Sequence, residues 1–520
     1  MEIVDDKVLV VRTRRPQLLT DTIKKSKVLN QVQDMHEVAV NWGIHEVQAL
    51  ADLKIKNIPS PIDRDYRWTG KLPPFAHQKV TAGFLSTYKK AFCFSEQGTG
   101  KTASVIWAAD YLMKMNVIRR VLIVCPLSIM KAAWQQDLFK FAMHRSCSVA
   151  HGTSTTRKKI LSANSEFVIV NFDGVAVIKD EIMNGGFDLI VVDEANAYKN
   201  VKTTRWKIMK QLVDKVGRIW MLTGTPAAQS PVDAFGLARL VNPDGSPKFF
   251  GAFRDQVLYK VSNFRWVPKP HAKDVVHNVL QPAIRFEREQ CLDLPSVTYL
   301  EREAPLTAQQ RKYYKMLRTK MQFEALGETV NAANAAVNLN KLLQISGGAV
   351  YTENKEVIEF DVSNRLNAVL ESIQEASHKV LVFVPFTHTI QLLEEGLKAA
   401  GITAMTINGQ VTMHKRSAIV EKFQTASDPR VLLIQPQAAS HGLTLTAANT
   451  IIWYAPVPSV ETYLQANARI NRPGQKNPMT IIHIRGSEVE SRLYTLLQSK
   501  VSDHTKIVDL YKQALEVEEE

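Results

Sequence analysis

Residues 92–102 read FCFSEQGTGKT and have the composition of a phosphate-binding loop. Such a loop usually follows the pattern Gly, four residues, Gly-Lys-Ser/Thr, and here Ser95 takes the place of the first glycine. Backbone N–H groups at a helix start bind phosphate oxygens, a lysine reaches the β- and γ-phosphates, and a threonine hydroxyl ligates Mg²⁺. An apolar run precedes the loop and a helix-like run follows it, which favours a nucleotide site over a chance match. The residues predicted to form this site are Gly98, Thr99, Gly100, Lys101 and Thr102, with Lys101 also acting in catalysis and Thr102 on the metal.

A pair of carboxylates ends the apolar run at residues 189–192. A strand that delivers Asp193 and Glu194 at its carboxyl end places one carboxylate beside a magnesium ion and the other where it can orient and deprotonate a water molecule. A solvated acidic turn is the alternative, and the buried-type residues before the pair argue against it. We therefore expect Asp193 to be a metal ligand and Glu194 to be catalytic.

Two arginines three residues apart, Arg469 and Arg472, lie in the stretch QANARINRPGQ at residues 465–475. A basic patch that touches nucleic acid is the simplest interpretation of such a pair. An arginine can also stabilise the charge of a transferred phosphoryl group, and that role would connect this stretch to the distant phosphate loop.

Between these motifs, short runs rich in Val, Ile and Leu alternate with polar or helix-like sequence, as expected for strands buried on both faces of a parallel sheet. One set begins at residues 121, 167, 189 and 219, and a second at residues 379, 403, 431, 450 and 480. The sequence therefore predicts two α/β domains. We divide the chain into an N-terminal accessory region (1–70), a nucleotide-binding domain (71–245), helical insertions and a linker (246–355), a second α/β domain (356–500), and a C-terminal helix with an acidic tail (501–520).

The bulk composition is that of a globular protein with a basic surface. The 520 residues carry a formal net charge of +14, which attracts polyanions, although a merely solvated basic surface would give the same value. The basic stretch at residues 11–27 has the same two interpretations, and a solvated face is the favoured one. Four well-separated cysteines predict a reducing compartment and no structural zinc. The acidic N-terminus predicts that there is no signal peptide, and the lack of a long apolar run predicts that there is no membrane partner.

Taken together, these motifs resemble the superfamily 2 helicase-like ATPases, and more narrowly the Swi/Snf double-stranded DNA translocases, over residues 73–485. PPFAHQ resembles the adenine-recognition segment, with Gln78 as its glutamine, and DEANAYKN resembles the Asp-Glu-Ala-His box, with Asn196 in place of the usual histidine. LTGTP resembles the motif that links hydrolysis to the DNA path. The last motifs, at residues 439–475, carry over Gly442 and Gln465 as nucleotide-binding residues and Arg469 and Arg472 as catalytic residues.

The resemblance implies an α/β fold of two RecA-like lobes in tandem with helical insertions, ATP and Mg²⁺ as cofactors, and double-stranded or branched DNA held through its phosphates without sequence preference. Ser128, Lys131, Ser440 and Thr444 fall where the family contacts nucleic acid, whereas Trp134 is interpreted as a packing residue.

The residues of the motifs are closer to those of the annealing-helicase and fork-remodelling branch than to those of nucleosome remodellers. A chain that consists almost entirely of the motor predicts a bacterial or phage member. We expect a monomer, cytoplasmic in a bacterial or phage-infected cell, or nuclear in a eukaryote. The leading hypothesis is an ATP-dependent DNA translocase that remodels or reanneals DNA or displaces bound proteins. The alternatives are a strand-separating DNA or RNA helicase and a nucleotide-binding scaffold without turnover.

Overall fold

A computed structural model describes residues 1–70, 72–227, 230–261, 266–291, 294–327, 332–351, 357–439 and 443–499. The chain forms two compact units. One contains Met1–Ala227, Pro231–Val257 and Lys269–Cys291, and the other consists mainly of the described residues after 293.

The first 70 residues contain a small antiparallel sheet with strand order β1-β2-β4-β3. Alternate residues of its central strands, such as Leu9 and Val11 in β2 and Val38 and Val40 in β4, are buried, as expected for a sheet with one face on a core. The elements are β1 Glu2–Val4, β2 Val8–Thr13, α1 Pro16–Thr22, β3 Ser26–Val32, β4 Met35–Asn41, α2 Ile44–Asp52 and α3 Ile62–Asp65.

A seven-stranded parallel sheet forms the centre of the first unit, with strand order β13-β5-β10-β9-β6-β8-β7. Every residue of β6, β8 and β10 is buried, because helices cover both faces of a parallel sheet. The strands are β5 Lys90–Cys93, β6 Val121–Cys125, β7 Cys147–Ala150, β8 Phe167–Asn171, β9 Leu189–Asp193, β10 Ile219–Leu222 and β13 Ala283–Ile284.

Helices connect these strands, and local sequence sets several of their ends. The Thr203 hydroxyl caps α10 by accepting from Trp206 N, and Gly217 ends this helix at φ +77°. The helices are α4 Ala76–Thr87, α5 Lys101–Lys114, α6 Gln136–Phe141, α7 Ser154–Ser162, α8 Phe172–Val177, α9 Lys179–Asn184, α10 Thr204–Val216, α11 Ala234–Val241, α12 Phe250–Val257, α13 Ala272–Val279 and α14 Arg288–Cys291. A π-helical turn covers Met130–Gln135, and 3₁₀ turns cover Ala195–Tyr198 and Pro231–Asp233.

The second unit contains a six-stranded parallel sheet with strand order β14-β21-β20-β17-β19-β18. Its strands are β14 Val297–Glu303, β17 Lys379–Phe383, β18 Ala404–Ile407, β19 Val431–Ile434, β20 Ala448–Trp453 and β21 Met479–Arg485. The short strands β11 Leu258–Lys260 and β12 Trp266–Pro268 pair with each other, as do β15 Ala349–Tyr351 and β16 Val357–Glu359. The helices are α15 Ala308–Gly327, α16 Ala332–Gly347, α17 Ser363–Glu375, α18 Thr387–Ala399, α19 Met413–Thr425, α20 Pro436–Ala439, α21 Val460–Asn467 and α22 Glu488–Gln498.

The predicted pair of parallel α/β sheets is confirmed, and every apolar run assigned to a strand contributes one. The region 246–355 contains strands as well as helices, because β13 and β14 add to the edges of the two sheets. Neither strand has a strong periodic signal: β13 has two residues, and β14 is largely exposed. The five-segment division of the chain stays a prediction, and residues 501–520 lie outside the described part. None of the described helices combines the length and apolar character needed to span a membrane.

Candidate nucleotide and nucleic-acid site

Three neighbouring parallel strands of the first unit end in one row. Cys93 at the end of β5 lies opposite Leu222 of β10, which lies opposite Asp193 of β9. The carboxyl edge of a parallel sheet is where α/β proteins bind ligands, because the following loops meet there. The structure therefore brings together the phosphate loop, the carboxylate pair and the turn at residues 223–225.

The phosphate loop has the backbone shape that its glycines permit. Gly98 and Gly100 adopt φ values of +86° and +79°, in the left-handed region. Ser104 N donates to Gly100 O at 3.2 Å as the first turn of α5 closes, so the preceding N–H groups at the helix start remain for an anion. Lys101 lies at this helix start, and its Nζ donates to Ser95 O at 2.7 Å and to Glu96 O at 3.1 Å. These carbonyls hold the ammonium group over the loop.

Gln78 lies directly against this loop. Its Oε1 accepts from Phe75 N at 2.9 Å, which fixes the side chain at the start of α4, and its Nε2 donates to Thr99 O at 3.3 Å. His77 Nε2 contacts the same carbonyl oxygen at 2.7 Å. A Cβ atom on Gly100 would lie 2.0 Å from Gln78 Nε2, so a side chain at this position would displace the Gln78 amide from Thr99 O.

A distant segment supports the loop at the serine that replaces the expected glycine. Ser95 Oγ accepts from Phe286 N at 3.1 Å, and Glu96 N donates to Phe286 O at 2.9 Å. Arg288 N donates to Glu96 Oε2 at 3.2 Å. These partners were not predicted from the sequence, because Phe286 lies 191 residues from Ser95, just after the two-residue strand β13, which carries no local signal of this pairing.

The carboxylate pair lies at the carboxyl end of β9, as predicted from the sequence. Asp193 Oδ1 accepts from Glu194 N at 3.0 Å, and Oδ2 accepts from the indole Nε1 of Trp134 at 2.9 Å. Burial raises the pKa of Asp193 above its ordinary value, while the charge of Lys101 and the hydrogen bond from Trp134 act in the opposite direction. Glu194 adopts φ +54°, which a non-glycine residue rarely adopts outside functional sites and tight turns.

Two further contacts extend the acidic turn. Asn196 directs its side-chain amide at Thr225, and Lys199 Nζ donates to Asp233 Oδ2 at 3.3 Å. The Thr223 hydroxyl accepts from Thr225 N at 3.3 Å, which closes the polar turn after β10. The motif that follows β10 is therefore connected to the acidic turn within the first unit.

These residues fit ATP and Mg²⁺. Gly98 and Gly100 have a left-handed backbone and no side chain to block the loop. The helix start offers its N–H groups to phosphate. Magnesium is commonly held by one or two carboxylates together with substrate phosphates rather than by an all-protein cage. Asp193, the last residue of β9, and Thr102, in the first turn of α5, are the residues here that would hold it.

The predicted nucleic-acid contacts of the first unit follow β6, the strand beside β9. Lys131 is exposed on the π-helical turn, and the Ser128 Oγ is buried with no hydrogen-bond partner among the described residues. Trp134, interpreted from the sequence as packing, is fully buried and also donates to Asp193. Its position beside Ala132 and Ala133 in the sequence gave no sign of that polar contact.

In the second unit, the two predicted catalytic arginines have different surroundings. Arg469 is only 2% exposed, and it donates to Gln465 O at 2.9 Å and to Leu443 O at 3.2 Å, so it braces the neighbouring loop. Arg472 is partly exposed, and its Nη1 donates to the Thr444 hydroxyl at 3.2 Å.

The predicted nucleotide-binding Gln465 is buried, and its Nε2 donates to Glu461 at 3.3 Å. The predicted Ser440 and Gly442 lie outside the described residues. The assigned roles of the site residues stay predictions.

The SNF2-related domain matches residues 39–357, and the helicase conserved C-terminal domain matches residues 363–474. A chromodomain-helicase-DNA-binding protein 1-like of Danio rerio is 27% identical over 78% of this chain and 40% of its own length. An uncharacterised ATP-dependent helicase of Mycoplasma genitalium is 26% identical over 75% of this chain and 37% of its own length.

The SWI/SNF-related matrix-associated actin-dependent regulator of chromatin subfamily A-like protein 1 of Drosophila melanogaster is 22% identical over 84% of this chain and 56% of its own length. The chain thus spans about two fifths to a little over half of the length of these relatives.

Among solved structures, the SWI2/SNF2 ATPase core of Sulfolobus solfataricus in complex with dsDNA is 21% identical, with a TM-score of 0.41 over 87% of this chain and 99% of that one. The resemblance seen in the motifs is confirmed by the family matches, and with it the two RecA-like lobes. Because the SNF2-related domain alone matches more than half of the 520 residues, this chain belongs to the SNF2-related family of helicase-like ATPases.

Proposed function

We propose that the chain is an ATP-dependent translocase on double-stranded DNA that remodels or reanneals DNA structures or displaces proteins bound to them. One observation supports this most directly: the phosphate loop, the carboxylate pair and the segment with Ser128 and Lys131 all follow strands that end at one edge of one sheet. A nucleotide and a nucleic-acid backbone bound at these loops would share the strand ends of β9 and β6. Hydrolysis and DNA contact would then be mechanically linked.

In this proposal, each polar group has one task. Lys101 neutralises the β- and γ-phosphates once it leaves the loop carbonyls, and the glycine loop orients them through its N–H groups. Glu194 orients the attacking water molecule and takes its proton, while Asp193 and Thr102 hold the metal. Mg²⁺, when bound, supplies the positive charge that balances the phosphate oxygens. Arg472 stabilises charge on the transferred phosphoryl group, as arginine fingers do, with effects on the order of a thousandfold.

DNA is the proposed polymer because the protein is basic and the candidate contacts are suited to phosphates. The net charge is +14, and Lys131 and Thr444 are exposed. Such groups recognise the charge and the shape of the DNA backbone. The affinity for DNA should therefore be independent of the DNA sequence and fall steeply as the salt concentration rises.

The decisive experiment measures ATP hydrolysis with no nucleic acid, single-stranded DNA, duplex DNA, forked DNA and RNA in parallel. Duplex or forked DNA should raise the rate most, and Lys101→Ala should abolish hydrolysis with every polymer. If neither duplex nor forked DNA stimulates hydrolysis, the translocase proposal is wrong. A triplex-displacement assay on duplex DNA then tests movement itself.

A strand-separating helicase is the second candidate, favoured by the match to the helicase conserved C-terminal domain and by the Mycoplasma relative that is named a helicase. Release of a labelled strand from a partial duplex distinguishes the two. A translocase on double-stranded DNA should displace a triplex strand without releasing the labelled strand. A helicase should release it in proportion to ATP hydrolysed.

A further inference from the structure

Trp134 connects two parts of the first unit that were assigned separate tasks. Its indole ring is fully buried, and its Nε1 donates to Asp193 Oδ2 at 2.9 Å. It lies on the π-helical turn Met130–Gln135, which also carries the exposed Lys131. Isolated π-helical turns are rare and often lie at functional sites.

The turn is well suited to transmit a displacement. Its outer side carries Lys131, whereas Met130 and Trp134, together with Ile129 just before the turn, are buried in the core. Only two residues separate Lys131 from Trp134 along the chain. Protein interiors are closely packed, so a shift of the turn caused by a bound phosphate backbone would move the indole N–H relative to the carboxylate.

Loss of this hydrogen bond would have a defined effect on Asp193. The indole donor restricts the rotamer of the carboxylate, whose other oxygen, Oδ1, accepts from Glu194 N. Without the indole donor, the carboxylate would be less well oriented for Mg²⁺.

We propose that Trp134 is a positioning residue that links nucleic-acid contact at the turn Met130–Gln135 to Mg²⁺ binding at Asp193. This proposal rests on the proposed function, because it assumes that Lys131 contacts DNA and that Asp193 holds the metal. Trp134 would touch neither ATP nor DNA itself.

The test replaces Trp134 with Phe, which keeps an aromatic ring and removes the N–H donor. The matched control is Trp42→Phe, because the buried Trp42 Nε1 donates to Pro59 O at 2.9 Å in the N-terminal region. Binding of a fluorescent ADP is titrated with Mg²⁺ in the absence of nucleic acid. The Mg²⁺ concentration at half-saturation should rise about tenfold in Trp134→Phe, the change expected for one lost hydrogen bond to a charged group, and stay within twofold in Trp42→Phe.

The second readout is coupling to DNA. In Trp134→Phe, the factor by which duplex DNA stimulates hydrolysis should fall, while duplex affinity measured by anisotropy without nucleotide stays within twofold of wild type. A purely structural role would lower the melting temperature and leave both the Mg²⁺ dependence and the stimulation factor unchanged, and that result would overturn the proposal.

Two safeguards keep the result interpretable. The Mg²⁺ titration needs neither DNA nor turnover. It therefore tests the link to Asp193 even if DNA fails to stimulate ATP hydrolysis by the wild-type protein. Such a failure would refute the proposed function and not the link. Should Trp134→Phe not fold, hydrogen exchange of the wild-type peptide at residues 129–136 serves as the test. Its exchange should change both with Mg²⁺–ADP and with duplex DNA, and an unchanged rate with either ligand would contradict the link.

Discussion

The side-chain amide of Asn196 donates to two oxygens of Thr225, the backbone carbonyl at 3.0 Å and the hydroxyl at 3.2 Å. Asn196 stands where the family resemblance expects histidine. The contact shows that an amide at this position bridges the acidic turn after β9 and the polar turn after β10. The departure from the family pattern therefore keeps a physical connection between these two turns.

We predict that Asn196→Asp lowers DNA-stimulated ATP hydrolysis about tenfold without changing the affinity for ATP. The aspartate has the same shape but no donor, and it would face the Thr225 carbonyl with a second acceptor, at a cost of about 1–3 kcal/mol. Steady-state hydrolysis and nucleotide titration measure the two quantities. Asn116→Asp, at an exposed position two residues after α5, is the control and should match wild type. Equal activity of both variants would show that the bridge is dispensable.

Gly100→Ala should abolish nucleotide binding. The new Cβ would lie 2.0 Å from Gln78 Nε2 and would also be held at φ +79°. Gly217→Ala separates the two effects, because Gly217 has a similar φ of +77° with no atom within 4 Å of the added Cβ. Calorimetric titration with ATP should detect normal binding in Gly217→Ala, with the free energy of unfolding lowered by about 1–2 kcal/mol. Binding by Gly100→Ala would argue that the Gln78 contact is not part of the site.

The two arginines should fail in different ways. Arg472→Ala is expected to fold and bind ATP normally, because the side chain is partly exposed and donates to Thr444 and to Ala468 O. The variant should lose turnover, because it lacks the guanidinium group proposed to stabilise the transferred phosphoryl group. Arg469→Ala should instead lower the melting temperature, since it leaves the buried Gln465 carbonyl and the partly buried Leu443 carbonyl without this donor. Thermal unfolding combined with single-turnover hydrolysis distinguishes the outcomes. Loss of ATP binding in Arg472→Ala would assign this residue a structural role.

Stability should fall between pH 6.5 and about pH 4 because of His483. Its ring is buried between Tyr494 and Tyr463, and burial lowers its pKa to about 4, whereas the unfolded value is near 6.5. Between these values the unfolded chain binds the proton and the folded chain does not, so the stabilisation is complete above pH 6.5 and is lost as pH falls. The loss amounts to about 3 kcal/mol.

Urea unfolding at pH 7 and pH 5 measures this dependence. His483→Gln should be less stable at pH 7 but should show a smaller difference between the two pH values. His45→Gln, at an exposed position, should keep the wild-type difference. An unchanged pH dependence in His483→Gln would mean that another group is responsible.

Local patterns were sufficient for the two sheets and for the motif residues at their edge. A strand buried on both faces needs a continuous apolar run, and a phosphate loop needs glycines followed by Lys and Thr, so both kinds of feature can be seen in short windows. Lys101, Asp193 and Glu194 were found in this way. The ends of β5, β10 and β9 then bring them together, because parallel strands present their carboxyl ends to one edge.

The sequence by itself thus determined the family, the two sheets and the candidate phosphate and carboxylate groups, since each depends on residues that are neighbours in the chain. Only the tertiary structure decided which groups support them: Phe286 on Ser95, Trp134 on Asp193, and the contacts of Arg469 with Leu443 and of Arg472 with Thr444. These contacts join residues that are far apart in sequence or lie on different elements. A hydrogen bond across such a separation depends on how the elements pack, and it leaves no pattern in any single stretch of sequence.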